Sequence, residues 1–395
     1  MQLKHNILKM YLLKAVLWFM VAMPIIVLFF QEHGLSLTQI MFLQAIYSLS
    51  VAVFEIPSGY IADLFGRKNT IIISTIFSFI GYVIFSFYEG FLAFAIAEVL
   101  IGIGGSLMSG SDSAILYDTL LETGNKEAYT RIEGKNYAIG NFSEATAGVL
   151  GGFLAVGSIY LPIYVQTAIL FLSIPIALSL AETTLHKENR LDKSFKSIFK
   201  VLKFAMIDNK KLKWLIVYSS AMGVATLSVA WFAQPFFKQV NVPLAYFGIL
   251  WAGLNFSAGF TSLNSHKFNQ NKEKGKMLFY LALAMIGALL FVGFNMTLFG
   301  LFFIVSIYLL RGIVTPILRH AINENTTSNK RATVLSIRSF IIRISFAIFA
   351  PILGFLADDY SLSISFYVLA ILVGFFSILS ALQLYKMDKN HNFAS

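Results

Sequence analysis

Eight ionisable residues stand in or at the edge of long apolar runs: Lys14, Glu55, Glu98, Asp112, Glu144, Arg311, Arg338 and Arg343. A charge in apolar surroundings is costly, so it faces a cavity, a partner or a proton path. Three chemistries are open to such residues. A carboxyl in low dielectric has its pKa raised toward neutrality, which suits a proton carrier. A cation can hold an anionic group, and opposite charges can form a fixed ion pair. Depth separates the eight. Glu144 and Arg343 lie nearest the middle of their runs, with Arg311 close behind. Glu98 sits in the outer half of its run, and Glu55 and Arg338 nearer the ends, where a structural ion pair is the better reading. Glu144 and Glu98 serve as proton-coupling candidates or as ion-pair partners. All six histidines fall in loops, tails or run edges, so carboxylates are the better proton carriers. The sequence has no metal-ligand spacing, nucleophile elbow or phosphate loop. Gly102-Ile103-Gly104-Gly105 lacks the preceding strand and following Lys-Ser/Thr that a nucleotide would need, so helix packing explains it better.

The elements that carry these charges follow from composition. Of 395 residues 57% are hydrophobic and 13% charged, with 39 Phe and a mean hydropathy of +0.73. A soluble domain cannot hide that much apolar surface, so lipid is the solvent for most of the chain. No cleavable signal pattern opens it, and the absence of cysteine excludes disulfides and thiol chemistry. A bilayer needs about 20 apolar residues per helix. Twelve runs meet that length, near 7–30, 38–62, 69–88, 91–112, 135–156, 159–181, 213–236, 244–264, 277–297, 298–318, 332–356 and 361–384. Only helices or closed barrels satisfy their backbone in lipid, and runs this long are helices. The fold expected is an all-α membrane protein of twelve transmembrane helices in two six-helix bundles.

The net charge of +10 does not point to nucleic acid, because the lysines cluster beside the spans. Placing both termini in the cytoplasm puts Arg67, Lys68, Lys126, Arg131, Lys135, Lys267, Lys272, Lys274, Lys276, Lys330 and Arg331 inside. It leaves Glu32, Glu89, Asp358 and Asp359 outside, with Lys238 as the one clear basic residue there. The longest polar stretch, 182–212, separates residues 1–181 from 213–395. Within it Phe195, Ile198, Phe199, Leu202 and Met206 recur at helical spacing opposite Lys196, Lys200 and Lys203, as in an amphipathic helix on the inner leaflet. The helix could be a regulated tether or, the simpler reading, a connector.

Between the second and third runs lies Gly59-Tyr60-Ile61-Ala62-Asp63-Leu64-Phe65-Gly66-Arg67-Lys68. Two glycines allow a sharp turn, and three charges come to one membrane face. The stretch resembles the loop 2–3 signature of the major facilitator superfamily, departing from it at Leu64, where that family usually has Arg. Ala147-Gly148-Val149-Leu150-Gly151-Gly152 in the fifth run is similar to the glycine element of the family's antiporters, without its Pro and preceding Gly. Ala350-Pro351-Ile352-Leu353-Gly354 in the eleventh is a comparable partial match. Small residues that let helices pack closely account for both equally well. Where the family often has an Arg ahead of the fourth-span glycine, this chain has Glu98.

The resemblance implies secondary transport by alternating access, with Gly59, Asp63, Gly66, Arg67 and Lys68 as a gating motif and no enzymatic activity. It implies a proton-coupled antiporter of the drug/proton type, exporting a small organic solute. Uptake of a nutrient or organic anion, held by Lys14, Arg311 and Arg343, is the alternative, and a non-transporting membrane sensor is the rival from another class. Substrate-cavity candidates are Lys14, Trp18, Tyr137, Glu144, Trp231, Gln234, Asn255, Arg311 and Arg343, since aromatic walls with few polar groups suit an amphipathic ligand. Glu144 and Arg343, at matching depth in symmetry-related spans, are expected to be neighbours or to compete for one ligand. No cofactor or metal is expected, the proton gradient being the energy source. The expected partners are the substrate, protons and the lipid bilayer, with no nucleic acid, for a monomer in the plasma (inner) membrane.

Overall fold

The structure, a computed structural model, describes residues 3–183, 200–265, 274–327 and 330–392, apart from a few side chains, Asp63 among them. The described residues form fourteen helices and no strand. Nine of the apolar stretches are each long and apolar enough to cross a membrane. Three expected spans fall short individually, for visible reasons. The fifth is diluted by Asn136, Asn141, Ser143, Glu144 and its glycines, the eighth is only 17 residues long, and the first is broken.

That break departs from the single helix expected over 7–30. Helix α1 (Asn6–Leu17) ends at Trp18, and α2 (Ile26–Glu32) begins only after Pro24 and Ile25. The intervening backbone turns through short-range bonds, Met20 N–H to the Trp18 carbonyl (2.9 Å) and Ile25 N–H to the Ala22 carbonyl (3.1 Å). Irregular backbone at membrane depth survives only where protein covers it, and Val21, Ala22 and Ile25 are fully buried. Helix α2 is held by aromatic packing: Phe29 and Phe30 meet Phe94 at 5.8 and 5.3 Å between ring centres, and Phe30 meets Phe85 at 5.5 Å.

The chain continues as α3 (Leu37–Phe65), α4 (Arg67–Phe87), α5 (Phe91–Met108), α6 (Ser111–Glu122), α7 (Tyr129–Gly157) and α8 (Leu161–Ser179). The fourth span is longer than expected, since α5 hands over to α6 at Gly110 (φ 102°), a left-handed value that favours glycine. After a π-turn at Phe204–Asp208 come α9 (Lys210–Gln239), α10 (Phe247–Leu263), α11 (Lys274–Phe294), α12 (Gly300–Glu324), α13 (Arg331–Asp359) and α14 (Leu362–Asn392). Of the amphipathic segment, Phe195, Lys196, Ile198 and Phe199 lie outside the described residues.

Two compact units result. The first comprises 1–35, 46–193 and 243–252; the second comprises 36–45, 194–242 and 253–395. Each therefore takes a short piece from the other half of the sequence: the start of α3 joins the second unit, and the start of α10 joins the first. Packing repeats between the halves. Helix α8 lies against α1 and α4 in the first, and α14 lies against the corresponding α9 and α11 in the second.

Close approach depends on small residues. A Cβ on Gly102 would come 2.7 Å from Ser50 of α3, and one on Gly104 would come 2.9 Å from the Ser74 carbonyl of α4. The glycine run of the fourth span is thus a packing surface.

Candidate functional site

In the first unit the break after α1 brings several polar residues together. The Lys14 ammonium pairs with Asp112 of α6 at 3.4 Å and lies 4.5 Å above the Trp18 ring. Tyr137 of α7 meets Trp18 edge-on, 6.4 Å between centres. Gly140, one turn further, makes room: a Cβ there would press on Trp18 (3.1 Å) and on Lys14 (3.3 Å). On the preceding turn Ser113 donates to Glu133 at 2.7 Å, and Asn136 is 1% exposed. Residues 133, 136, 137, 140 and 144 share a helix face by their spacing, so Glu144 continues this stripe toward the middle of α7. Three of the sequence candidates, Lys14, Trp18 and Tyr137, thus form one cluster; Asp112 completes it.

The glycines further along α7 serve the backbone. A Cβ on Gly151 would collide with the Val21 carbonyl in the broken first span, and a Cβ on Gly248 with the Gly148 carbonyl. Trp251, 6% exposed, stands 3.3 Å from the Cβ position of Gly148. The partial antiporter element is therefore occupied in holding α7 against the first span and the start of α10. Glu98 is buried (6%) on α5.

The second unit holds Trp231, Gln234, Asn255, Arg311, Arg338 and Arg343. Gln234 is buried, Trp231, Asn255 and Arg343 are half-buried, and Arg311 is exposed, its guanidinium 5.6 Å from the Tyr308 ring centre. Among the described residues Arg338 has no ion pair of the kind expected of it. Its Nε donates to the Ser219 hydroxyl, and it lines a small cavity with Arg311. Glu144 and Arg343 belong to different units.

The turn that carries the signature is organised by residues the sequence reading passed over. Gly66 adopts φ 88° and caps α4, and a Cβ there would come 2.5 Å from a Glu182 oxygen. Glu182 accepts from the Arg67 and Lys68 amides at 3.2 and 3.1 Å, a carboxylate at a helix N-terminus. The Arg67 guanidinium pairs with Asp118 of α6 at 2.5 Å, and Thr183 donates to the same carboxylate. Asn6 ties in the same stretch, donating to the Ala181 carbonyl and accepting from its amide, both at 2.9 Å. The second unit repeats the device: Asp388, near the end of α14, accepts from the Gly275 amide at 3.0 Å and pairs with Lys211 at 3.3 Å. The sequence analysis singled out neither carboxylate, and no sequence signal marks them beyond acidity at a span end. Of the other motif residues, Gly59 falls in the last turns of α3, and the Asp63 side chain is among those not described.

A third carboxylate caps the start of α3. Asp358, in the last turn of α13, accepts from the Leu37 amide (3.0 Å), the Thr38 amide (2.7 Å) and the Thr38 hydroxyl (2.6 Å). Ser36 and Gln39 form a capping box beside it, the Ser36 amide donating to the Gln39 side chain (3.0 Å) and the Gln39 amide to the Ser36 hydroxyl (3.3 Å). A Cβ on Gly354, one turn earlier, would lie 2.8 Å from the Leu37 carbonyl.

The chain as a whole is similar to known membrane transporters. The profile of the Major Facilitator Superfamily matches residues 10–318. An uncharacterized MFS-type transporter of Bacillus subtilis (strain 168), YxaM, is 25% identical over 364 residues, covering 88% of each chain. Among solved structures, a mutant form of the nucleoside transporter NupG superposes with a TM-score of 0.79 at 14% identity, covering 98% of this chain and 99% of that one. A bacterial homolog of the human lysosomal transporter Spinster gives 0.76 at 14% identity, over 98% of both chains. A D-xylose-proton symporter gives 0.71 at 14%, over 95% and 96%.

Proposed function

The chain belongs to the major facilitator superfamily, a family of membrane transporters rather than enzymes, and from that premise we propose that it exports a small organic solute in exchange for protons. Alternating access supplies the movement and the proton gradient the energy, with no cofactor. The observation that carries the reading is the cluster at the broken first span, where Lys14, Trp18, Asp112 and Tyr137 converge. Interrupted membrane helices mark substrate sites in transporters of several folds; in this chain the interrupted backbone is itself packed, and the flanking side chains Lys14, Trp18 and Tyr137 are the ones that meet the ligand in this reading.

Glu144, on the same face of α7, is the coupling carboxylate in this scheme, with Glu98 as reserve. Glu144 releases its proton when a countercharge such as Arg343 or the substrate approaches, and takes one when that charge withdraws. Coupling requires such an alternation, since a ligand moves an equilibrium only through different free energies in its two states. Asp63 and its neighbours gate the face toward the cytoplasm. The protein works as a monomer in the plasma membrane with both termini inside. Labelling of a single cysteine at position 361, but not 194, by an impermeant reagent on intact cells tests that orientation; the reverse pattern rejects it.

Reconstitution into liposomes with an imposed pH gradient tests the coupling. Glu144→Gln is expected to abolish gradient-driven flux and to spare solute exchange at equal pH. Full driven flux in Glu144→Gln with loss in Glu98→Gln transfers the role to Glu98. Retained coupling in both variants rejects the scheme.

A second reading is favoured by Arg311, Arg338 and Arg343: uptake of an organic anion by symport. An anion entering a negative-inside cell works against about 2.3 kcal/mol per charge per 100 mV, which co-transported protons neutralise.

A further inference from the structure

We propose that Arg311 and Arg338 form a subsite for the carboxylate of the transported solute, inside the second unit. The proposal rests on the transport reading and names the class of substrate.

Both arginines line one cavity of about 30 Å³, together with Ser219 and Thr226 of α9 and Thr315 of α12. Arg338 is 8% exposed, and its Nε is committed to the Ser219 hydroxyl. Its two terminal nitrogens remain as a fork, the geometry that matches the two oxygens of a carboxylate. Ser219 accepts from Arg338 and so keeps its own hydroxyl proton to donate.

The sequence supplies no acid to neutralise this pair from within its own unit. From Ser194 to the C-terminus the acidic residues are Asp208, Glu273, Glu324, Asp358, Asp359 and Asp388, all outside the apolar runs or at their ends. At 1.5 Å per residue, Glu324 is about 20 Å along α12 from Arg311, and Asp358 about 30 Å along α13 from Arg338. Three of these acids are already engaged: Glu324 with Lys274 and His320, Asp358 with the start of α3, and Asp388 with Lys211 and Gly275. A guanidinium withdrawn from water with no counter-charge supplied by its own unit is unfavourable, and an arriving carboxylate offsets that cost.

Size narrows the ligand. A cavity of this volume has room for about two waters, so it takes the anionic head group of a solute and not its body. The remainder of the solute then extends past the exposed Arg311, which closes the second side of the anion. Thr226 and Thr315 present hydroxyls to the same space.

The test uses the full chain in lipid nanodiscs at constant ionic strength, with chloride replaced stepwise by propionate, succinate or benzoate. At least one of these carboxylates is expected to raise the melting temperature of the wild type. Arg311→Gln and Arg338→Gln should each weaken that effect about tenfold or more, as loss of a charged bidentate partner does. Arg338→Lys keeps the charge and guards against a folding defect; it should lie between wild type and Arg338→Gln. No response to any of the three carboxylates overturns the proposal, as does a response that survives both glutamine variants. A stronger response to glucose 6-phosphate than to all three overturns the carboxylate assignment. Flux of glucose or ethidium by the reconstituted wild type, without carboxylate binding, leaves the transport reading standing and this one rejected.

Discussion

The first turn of α3 is held at its N-terminus by Asp358, a residue far along the chain, and this contact can be tested on its own. The first amides of a helix have no intrahelical acceptor. Here they are accounted for one by one. Leu37 and Thr38 donate to Asp358, Gln39 to the Ser36 hydroxyl, and Ile40 to the Ser36 carbonyl at 3.0 Å. Replacing Asp358 by Ala leaves two of the four without a protein partner and frees the Thr38 hydroxyl. Loss of a capping side chain typically costs about 0.5–2 kcal/mol, and the site is exposed, so about 1 kcal/mol is the working value. Asp358→Asn keeps an acceptor oxygen and loses only the charge, for which about 0.3–1 kcal/mol is usual at a helix N-terminus. At about 1.4 kcal/mol per factor of ten, Ala should raise the open fraction of this turn roughly fivefold, and Asn by about 1.6-fold at the lower bound and no more than Ala at the upper. Hydrogen exchange followed by mass spectrometry on the peptide spanning 35–42 reads this directly, because the Leu37 and Thr38 amides depend on Asp358 for protection. Exchange in a peptide of α14 serves as the internal control. Unchanged exchange over 35–42 in Asp358→Ala would show that the capping geometry contributes nothing, and the reasoning would fail. A rise of equal size in α14 would instead mean general loosening, which also refutes a local cap.

Other substitutions test the packing. Gly151→Ala places a methyl against the Val21 carbonyl, a backbone atom that cannot rotate away, and should destabilise the protein by about 1–3 kcal/mol; a wild-type melting curve would show that the break after α1 is freely deformable. Glu182→Gln should cost about 1 kcal/mol and speed exchange at the Arg67 and Lys68 amides, while Glu89→Gln, beyond the other end of α4, should not; equal behaviour of the two would remove the cap from the account.

Much of the architecture could be read in the chain, because the lengths of apolar runs are dictated by the bilayer and side-chain hydropathy reports them directly. What hydropathy cannot report is backbone. The stretch Trp18–Ile25 is apolar throughout, so nothing but Pro24 hinted at an interruption. Proline alone is a poor signal in membrane helices: Pro57, Pro175, Pro235, Pro316 and Pro351 all lie inside unbroken ones. The cluster of Lys14, Trp18 and Tyr137 was legible because charge and aromatics at membrane depth are conspicuous. Asp112 counted there as a membrane-edge charge, but its pairing with Lys14 depends on how α6 folds back past Gly110. Asp358 was counted only as an outer-loop charge, and Glu182, Asp118 and Asp388 were not singled out at all. Their partners are backbone amides or a distant arginine, and a backbone donor has no residue type to notice. Arg338 was expected in an ion pair because pairing is the usual fate of a buried arginine; the absence of any acid in the interior of α9–α14 explains why it turned to a serine.

The two caps at α4 and α11 also set a timetable for synthesis. The acceptor for the Arg67 amide is Glu182, 115 residues further along the chain, and the acceptor for the Gly275 amide is Asp388, 113 residues further along. A nascent chain that has just inserted its third span therefore has a helix start with nothing to bind, and stays so until the sixth span has been made. The ninth span waits an almost equal interval for the twelfth. Each half is thus fastened by its own last-made segment, so a released fragment ending at 181 should be markedly more protease-sensitive around Gly66 than one ending at 200. Maturation would then proceed in two clicks of nearly equal length, the second only as translation finishes.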